Sequence, residues 1–194
     1  MIDLIHALGR HYADVPDVYV WGNMLLYYVE GDPRACVAPD LFLVKGVDKH
    51  VRRTYKLWEE RRVPSLVIEV TSRSTRTEDT KLKKGVYERL GVDEYFLFDP
   101  FGEYLQPRLQ GYYLAGGHYR AVAPADGSLS SRETGLDLVP EGARLRLRDP
   151  VSGELLLWAD EEAHRADQEK LAREAAEERV RLLEAELSGF RAKS

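Results

Sequence analysis

The sequence predicts an α/β fold: a mixed central sheet flanked by helices, then a β-rich section, then a long C-terminal helix. Three observations carry that expectation. Leu66–Val70 (LVIEV) and Glu94–Phe98 (EYFLF) are short apolar runs of the kind found in buried strands, and a helix pattern lies between them. Gly111, Gly116, Gly117, Gly127, Gly135, Gly142 and Gly153 punctuate short strand-like segments, the pattern of meandering antiparallel hairpins. From Asp160 to about Ser188 the chain has neither proline nor glycine and is dominated by Ala, Glu, Arg and Leu.

In order, IDLIHALGRHYAD reads as a short amphipathic helix with Ile2, Ile5, Leu8 and Tyr12 on one face, stopped at Val15-Pro16-Asp17. Val18–Val29, rich in β-branched and aromatic residues, reads as a strand or a bent pair, and Gly31-Asp32-Pro33 as a turn. Ala38–Val44 (APDLFLV) reads as a strand with Pro39 at its beginning, where a missing N–H matters least. Residues 46–63 are polar, basic and aromatic, and read as a connector. The helix at about 77–90 opens on Thr77-Glu78-Asp79 and closes at Gly91, with charges placed to suit its dipole. Gln110–Leu114, His118–Val122, Arg144–Arg148 and Glu154–Trp158 read as hairpin strands. The C-terminal helix would span roughly 29 residues, about 44 Å at 1.5 Å per residue. Ala176, Val180, Leu183, Leu187 and Phe190 follow a 4-3-4-3 spacing that does not extend upstream, which fits either a short self-association stripe of a homo-oligomer or coiled coil, or equally a solvated helical tail with a docked C-terminal end. The expected organisation is one domain over 1–159, with a motif core at 36–100 and a hairpin section at 101–159, and a helical tail over 160–194.

Composition narrows the function classes. A chain of 194 residues buries about 70% of its unfolded surface, so a full core is expected. No run of about 18 apolar residues is present, and the N-terminus lacks a signal-peptide core, so no membrane role and a cytoplasmic location are expected. Cys36 is the single cysteine, which excludes a disulfide framework and a multi-cysteine zinc site. His6, His11, His50, His118 and His164 show no metal-ligand spacing. The net charge is −5, yet residues 45–90 hold 13 Lys and Arg against 7 Asp and Glu. Arg52, Arg53, Lys56, Arg61 and Arg62, interleaved with Tyr55 and Trp58, fit either a DNA-tracking surface or a cover over the sheet.

Glu69 stands out because it lies between Ile68 and Val70 in an apolar run. An ionised carboxylate is costly there without a cation, a metal or hydrogen bonds, and a structural ion pair would serve equally. Asp40, at the start of the preceding strand, is the second acid. Two acids on adjacent strands lie about 4.8 Å apart, a pairing that suits Mg²⁺ with several waters and a phosphate oxygen. Lys81, Lys83 and Lys84 follow on the helix, with Asp79 and Lys83 four residues apart on one face and Tyr87 a step beyond. A lysine beside two metal-bound carboxylates could orient a water or stabilise charge on phosphorus.

Pro39-Asp40, Ile68-Glu69-Val70-Thr71-Ser72, Ser74-Thr75-Arg76, Asp79, Lys83, Tyr87, Gly91-Val92 and Glu94–Pro100 resemble the large bacterial family of Uma-type restriction endonucleases, within the PD-(D/E)XK nuclease superfamily. The resemblance covers about residues 36–100. It implies a restriction-endonuclease-like fold and a metal-dependent endonuclease that hydrolyses DNA with Mg²⁺ or Mn²⁺. It implies Asp40 and Glu69 as catalytic metal ligands, the main-chain carbonyl of Val70 as a further ligand, and support from Ser72 and Asp79. The superfamily's strand lysine is replaced here by Thr71, and the resemblance implies that Lys83 supplies it from the helix, with Lys81 and Lys84 as rivals. The competing reading is a catalytically inactive nuclease-fold module that binds nucleic acid or a protein partner. A scaffold with structural acids ranks third.

Overall fold

The computed structural model describes residues 2–191, with side chains described through residue 184. The chain forms two compact units, residues 1–156 and 157–194. The first is built on a six-stranded sheet whose order is β1-β4-β6-β7-β8-β9. Its strands are β1 (Val18–Trp21), β4 (Leu41–Lys45), β6 (Leu66–Val70), β7 (Glu94–Phe98), β8 (Leu109–Ala115) and β9 (His118–Val122). β6 and β7 run parallel and every other pairing in this sheet is antiparallel, so the sheet is mixed. The parallel pair is the one bridged by a helix, as a crossover connection requires.

Period-two alternation sorts the central strands onto two cores. Leu41, Leu43, Leu66, Ile68, Phe96 and Phe98 face α1 (Ile2–His11) and the leucines of a three-stranded sheet, β10 (Leu129–Ser130), β11 (Asp137–Glu141) and β12 (Arg144–Arg148). Phe42, Val44, Val67, Tyr95 and Leu97 face α3 (Lys84–Leu90) and a small sheet of β2 (Leu26–Tyr27), β3 (Cys36–Val37) and β5 (Tyr55–Lys56). Glu69 shares the parity of Val67, so the same alternation delivers its carboxylate to the face covered by α3.

Several expectations change. In α1 the buried face is Leu4, Ala7 and Leu8, while Ile2 is exposed. The bent-pair alternative describes residues 18–29, with β1 and β2 separated by a corner at Gly22-Asn23. The strand expected from Ala38 begins only at Leu41, since Pro39 gives its carbonyl to the Asn23 N–H instead of joining the ladder. The connector contains β5 and α2 (Leu57–Glu60), and β10 and β11 were not foreseen. Glu154–Trp158 is no strand: it makes one bridge, Arg148 to Leu155. Arg52 is buried, stacked 4.5 Å over the Tyr19 ring and ion-paired to Glu60, and Tyr55 is a core residue; neither can track DNA. The expected helix at 77–90 opens α-helical at Arg76 and Thr77, is π-helical over Glu78–Lys83 and is α-helical again from Lys84.

The β8–β9 hairpin turns through Gly116 and Gly117, both at positive φ, the two-residue turn whose twist matches that of the strands. In the second unit, α4 (Ala159–Arg191) is a single helix. Val180 and Leu183 are exposed there, and Leu187 and Phe190 of the expected stripe lie outside the described side chains. No described helix is long and apolar enough to cross a membrane.

Candidate active site

The site lies at the end of the sheet where β6 finishes and β4 begins. Leu41 pairs with Ile68, so the next residues outward, Asp40 and Glu69, are brought side by side. They are tied reciprocally through the main chain. The Asp40 N–H donates to Glu69 Oε2 at 3.2 Å, and the Val70 N–H donates to Asp40 Oδ2 at 2.7 Å. Glu69 is fully buried and Asp40 half-buried, so one carboxylate is locked in the interior beside another that reaches solvent.

The helix after β6 supplies the rest. Lys83 Nζ lies 3.1 Å from Glu69 Oε2 and 3.2 Å from Asp79 Oδ1, and donates to the Ala38 carbonyl at 3.4 Å. Tyr87, one turn further, donates its hydroxyl to Glu69 Oε1 at 2.8 Å. Tyr95 on β7 donates to the main-chain oxygen of Asp79 at 2.9 Å, anchoring the π-helix to the sheet. Of the three lysines only Lys83 meets the carboxylates: Lys81 is exposed, and Lys84 lies 3.6 Å over the Tyr112 ring. Thr71 is buried and its hydroxyl has no hydrogen-bond partner among the described residues, while Ser72 is exposed and bonds within its own turn.

Burial pushes the Glu69 carboxyl up to about 8, with Asp40 and Asp79 adding to the rise and Lys83 and Tyr87 opposing it. Burial pulls the Lys83 ammonium down, but Glu69 and Asp79 outweigh it and its pKa stands above the ordinary value. Tyr87 is raised by burial and by Glu69. Glu69 and Asp79 share the single ammonium of Lys83, Asp40 stands beside them, and Asp79 Oδ2 is buried with no hydrogen-bond partner among the described residues. Once Glu69 is deprotonated, the three carboxylates exceed the one ammonium, a donor set whose charge a divalent cation would compensate. Among the described residues no group of three His, Cys, Asp or Glu side chains stands in ligating position. The fit is therefore to a hard ion that takes one or two carboxylates and completes its shell with water.

Gly22 is a site residue that the sequence reading missed. A Cβ there would lie 1.9 Å from the Asp40 carbonyl oxygen and 2.6 Å from Ile5 Cδ1, so only glycine lets the end of β1 seat the Asp40 backbone. The available signal was an isolated glycine inside a strand pattern, which marks a close backbone approach. Tyr95 offered no such signal, because its partner is a main-chain oxygen on another element.

The crystal structure of a putative nuclease belonging to DUF820 from Anabaena variabilis ATCC 29413 is similar at a TM-score of 0.47 and 11% identity, over 67% of this chain and 68% of that one. No curated protein matches. The profile of the Uma2 family, described as "Putative restriction endonuclease", matches residues 2–148, from α1 through β12 and across every site residue above. A match over that much of the chain establishes the family: this protein is a member of the Uma2 family.

Proposed function

We propose that the protein is a metal-dependent endonuclease that hydrolyses phosphodiester bonds in DNA. Family membership supports nuclease function. The observation that carries the finer reading is the constellation itself, two carboxylates on adjacent strands with Lys83 Nζ 3.1 Å from one of them. Asp40 and Glu69, with the main-chain carbonyl of Val70, would hold Mg²⁺ or Mn²⁺. The ion would supply Lewis acidity and lower the pKa of a bound water.

The chain's own residues do the remaining work. The two main-chain hydrogen bonds between Asp40, Glu69 and Val70 fix the carboxylates before any ligand arrives, so little reorganisation is required on binding. Tyr87 holds Glu69 Oε1 from behind. Lys83, kept charged by Asp79, would orient the attacking water or stabilise charge developing on phosphorus.

A second reading has one observation in its favour. The Glu69–Lys83–Asp79 chain is continuous without a metal, as in a structural ion network. In that case the chain binds nucleic acid or a protein without hydrolysis.

Calorimetric titration with Mn²⁺ separates the two. Binding near one equivalent to the wild type, lost in both Asp40→Asn and Glu69→Gln, together with metal-dependent plasmid cleavage, is the expected result. DNA binding indifferent to divalent ions, with no heat of Mn²⁺ binding, would establish the non-catalytic module.

A further inference from the structure

The strongest unassigned feature is a pair of exposed arginines on the turn that joins the two halves of the site. Val70, which bonds Asp40, ends β6. The Thr71 N–H then donates to the Phe98 carbonyl at 2.8 Å, extending the β6–β7 pairing one residue to the end of these central strands. Residues 72–76 form a self-bonded turn: the Ser72 N–H donates to Thr75 Oγ1 at 3.0 Å, and the Arg76 N–H donates to the Ser72 carbonyl at 3.0 Å. Its end is tied directly into the π-helix, because the N–H of buried Asp79 donates to the Thr75 carbonyl at 2.8 Å. The turn is thus fixed at both ends by residues of the carboxylate site.

From Ser72 to Lys84 the chain carries five cations and two carboxylates. Lys83 and Asp79 neutralise each other inside, and Lys84 rests on Tyr112. Arg73, Arg76 and Lys81 are left exposed against Glu78. Elsewhere in the first unit Arg34, Lys45, Arg52, Lys56, Arg146 and Arg148 are ion-paired, and other exposed arginines without a carboxylate partner among the described residues, such as Arg62, Arg89 and Arg120, are not on the segment that carries Asp79 and Glu69 to the site. Among the described residues neither Arg73 nor Arg76 pairs with a carboxylate. Two exposed guanidinium groups, on the segment between Val70 and Asp79 and with no carboxylate pair among the described residues, stand against the protein's overall negative charge.

Of the basic stretch at 52–62, Arg52 is buried and Arg62 stands at the far end of β4. The Arg62 guanidinium stands 3.2 Å from the position of a Cβ on Gly46, just past the far end of β4. Asp40 precedes the near end, which puts Arg62 about 20 Å away at ~3.3 Å per residue.

Resting on the nuclease reading, we infer that Arg73 and Arg76 form the phosphate grip of the site and hold the backbone of duplex DNA against the Asp40–Glu69 edge. Guanidinium groups suit this task through their planar, bidentate donor geometry and their permanent charge.

Binding of a labelled duplex oligonucleotide, followed by fluorescence anisotropy in Ca²⁺ over a range of salt concentrations, tests the inference. Each phosphate contact contributes about 0.9 to the slope of log affinity against log salt. The Arg73→Ala/Arg76→Ala double variant is expected to lose about 2 from that slope and to bind at least about tenfold more weakly. Mn²⁺ binding by calorimetry and the thermal midpoint should match the wild type. Arg61→Ala/Arg62→Ala should leave the slope unchanged. A wild-type slope in the double variant, or an equal loss in Arg61→Ala/Arg62→Ala, overturns the grip. A wild type that binds Mn²⁺ but no duplex also overturns it and leaves the metal centre standing. Loss of both in the wild type removes the nuclease reading itself.

Discussion

Glu69 and Glu94 stand on neighbouring parallel strands, both are buried, and both carboxyls are raised by burial, yet they are opposites. Glu94 starts β7 and faces the leucine core, where it accepts from the Ser131 hydroxyl and from the Arg132 N–H at 2.6 Å. Neutral donors from one turn satisfy it, and the bonds staple that turn to the sheet. Glu69, the last residue but one of β6, lies on the other face, where its partners are a lysine, a tyrosine and the main chain of a second acid. A buried carboxylate in a strand therefore does not by itself mark a site. The mark is the company it keeps: Glu69 and Asp79 meet one ammonium beside a second strand carboxylate, Asp40, with an oxygen of Asp79 left unbonded among the described residues.

That contrast can be broken by experiment. The largest effect is expected from paired substitutions: Glu69→Gln should abolish Mn²⁺ binding while the fold persists. Glu94→Ala should instead lower stability by about 1–3 kcal/mol, because buried donors lose their acceptor, and leave Mn²⁺ binding intact. Urea melts and calorimetry on both variants check this, and metal binding lost in both would erase the distinction.

Next in size is Gly22→Ala, whose Cβ would collide with the Asp40 carbonyl. Mn²⁺ affinity should fall by at least about tenfold, as for loss of a supporting group around a metal. Gly9→Ala, with nothing within 4 Å of the new Cβ, serves as the control and should bind normally. Tyr87→Phe removes only the hydrogen bond to Glu69 Oε1 and should weaken Mn²⁺ by about 10-fold.

The remaining test is in pH. The Glu69 carboxyl stands at about 8 in the folded chain against an ordinary 4.5, so between those values the unfolded chain holds fewer protons. Metal-free stability attributable to Glu69 should fall as pH rises through that window, and Glu69→Gln should flatten the profile. Mn²⁺ affinity should move the other way, rising toward pH 8 as the proton is displaced. Thermal melts and titrations at several pH values would show opposite slopes. Parallel slopes would contradict the assignment of Glu69 as a ligand.

Local pattern and tertiary structure divide this protein cleanly. β6 and β7 were legible to the residue, because a buried strand needs an apolar run, and such a run is contiguous in sequence. Glu69 was conspicuous for the same reason, as the one charge inside LVIEV, and Asp40 because it opens an apolar run beside a proline. The turn at Gly91 was legible too: its φ of 84° ends α3 in the left-handed conformation that glycine adopts freely. The strand expected over Glu154–Trp158 failed because a strand exists only if a partner ladder accepts it, and here one bridge forms.

The sequence by itself determined which segments are strands of the central sheet, that one of them carries a costly carboxylate, and that lysines follow within a helix. These depend on nearest neighbours and on side-chain period. Only the tertiary structure decided that Lys83 and not Lys81 or Lys84 reaches Glu69, since a π-helix over Glu78–Lys83 alters the helical phase and Tyr95 anchors it from another strand. It also decided that Arg52 is buried while Arg73 and Arg76 are exposed and unpaired. Such choices rest on contacts between residues far apart in the chain, and composition cannot tell a cation held by a distant acid from one left free for a ligand.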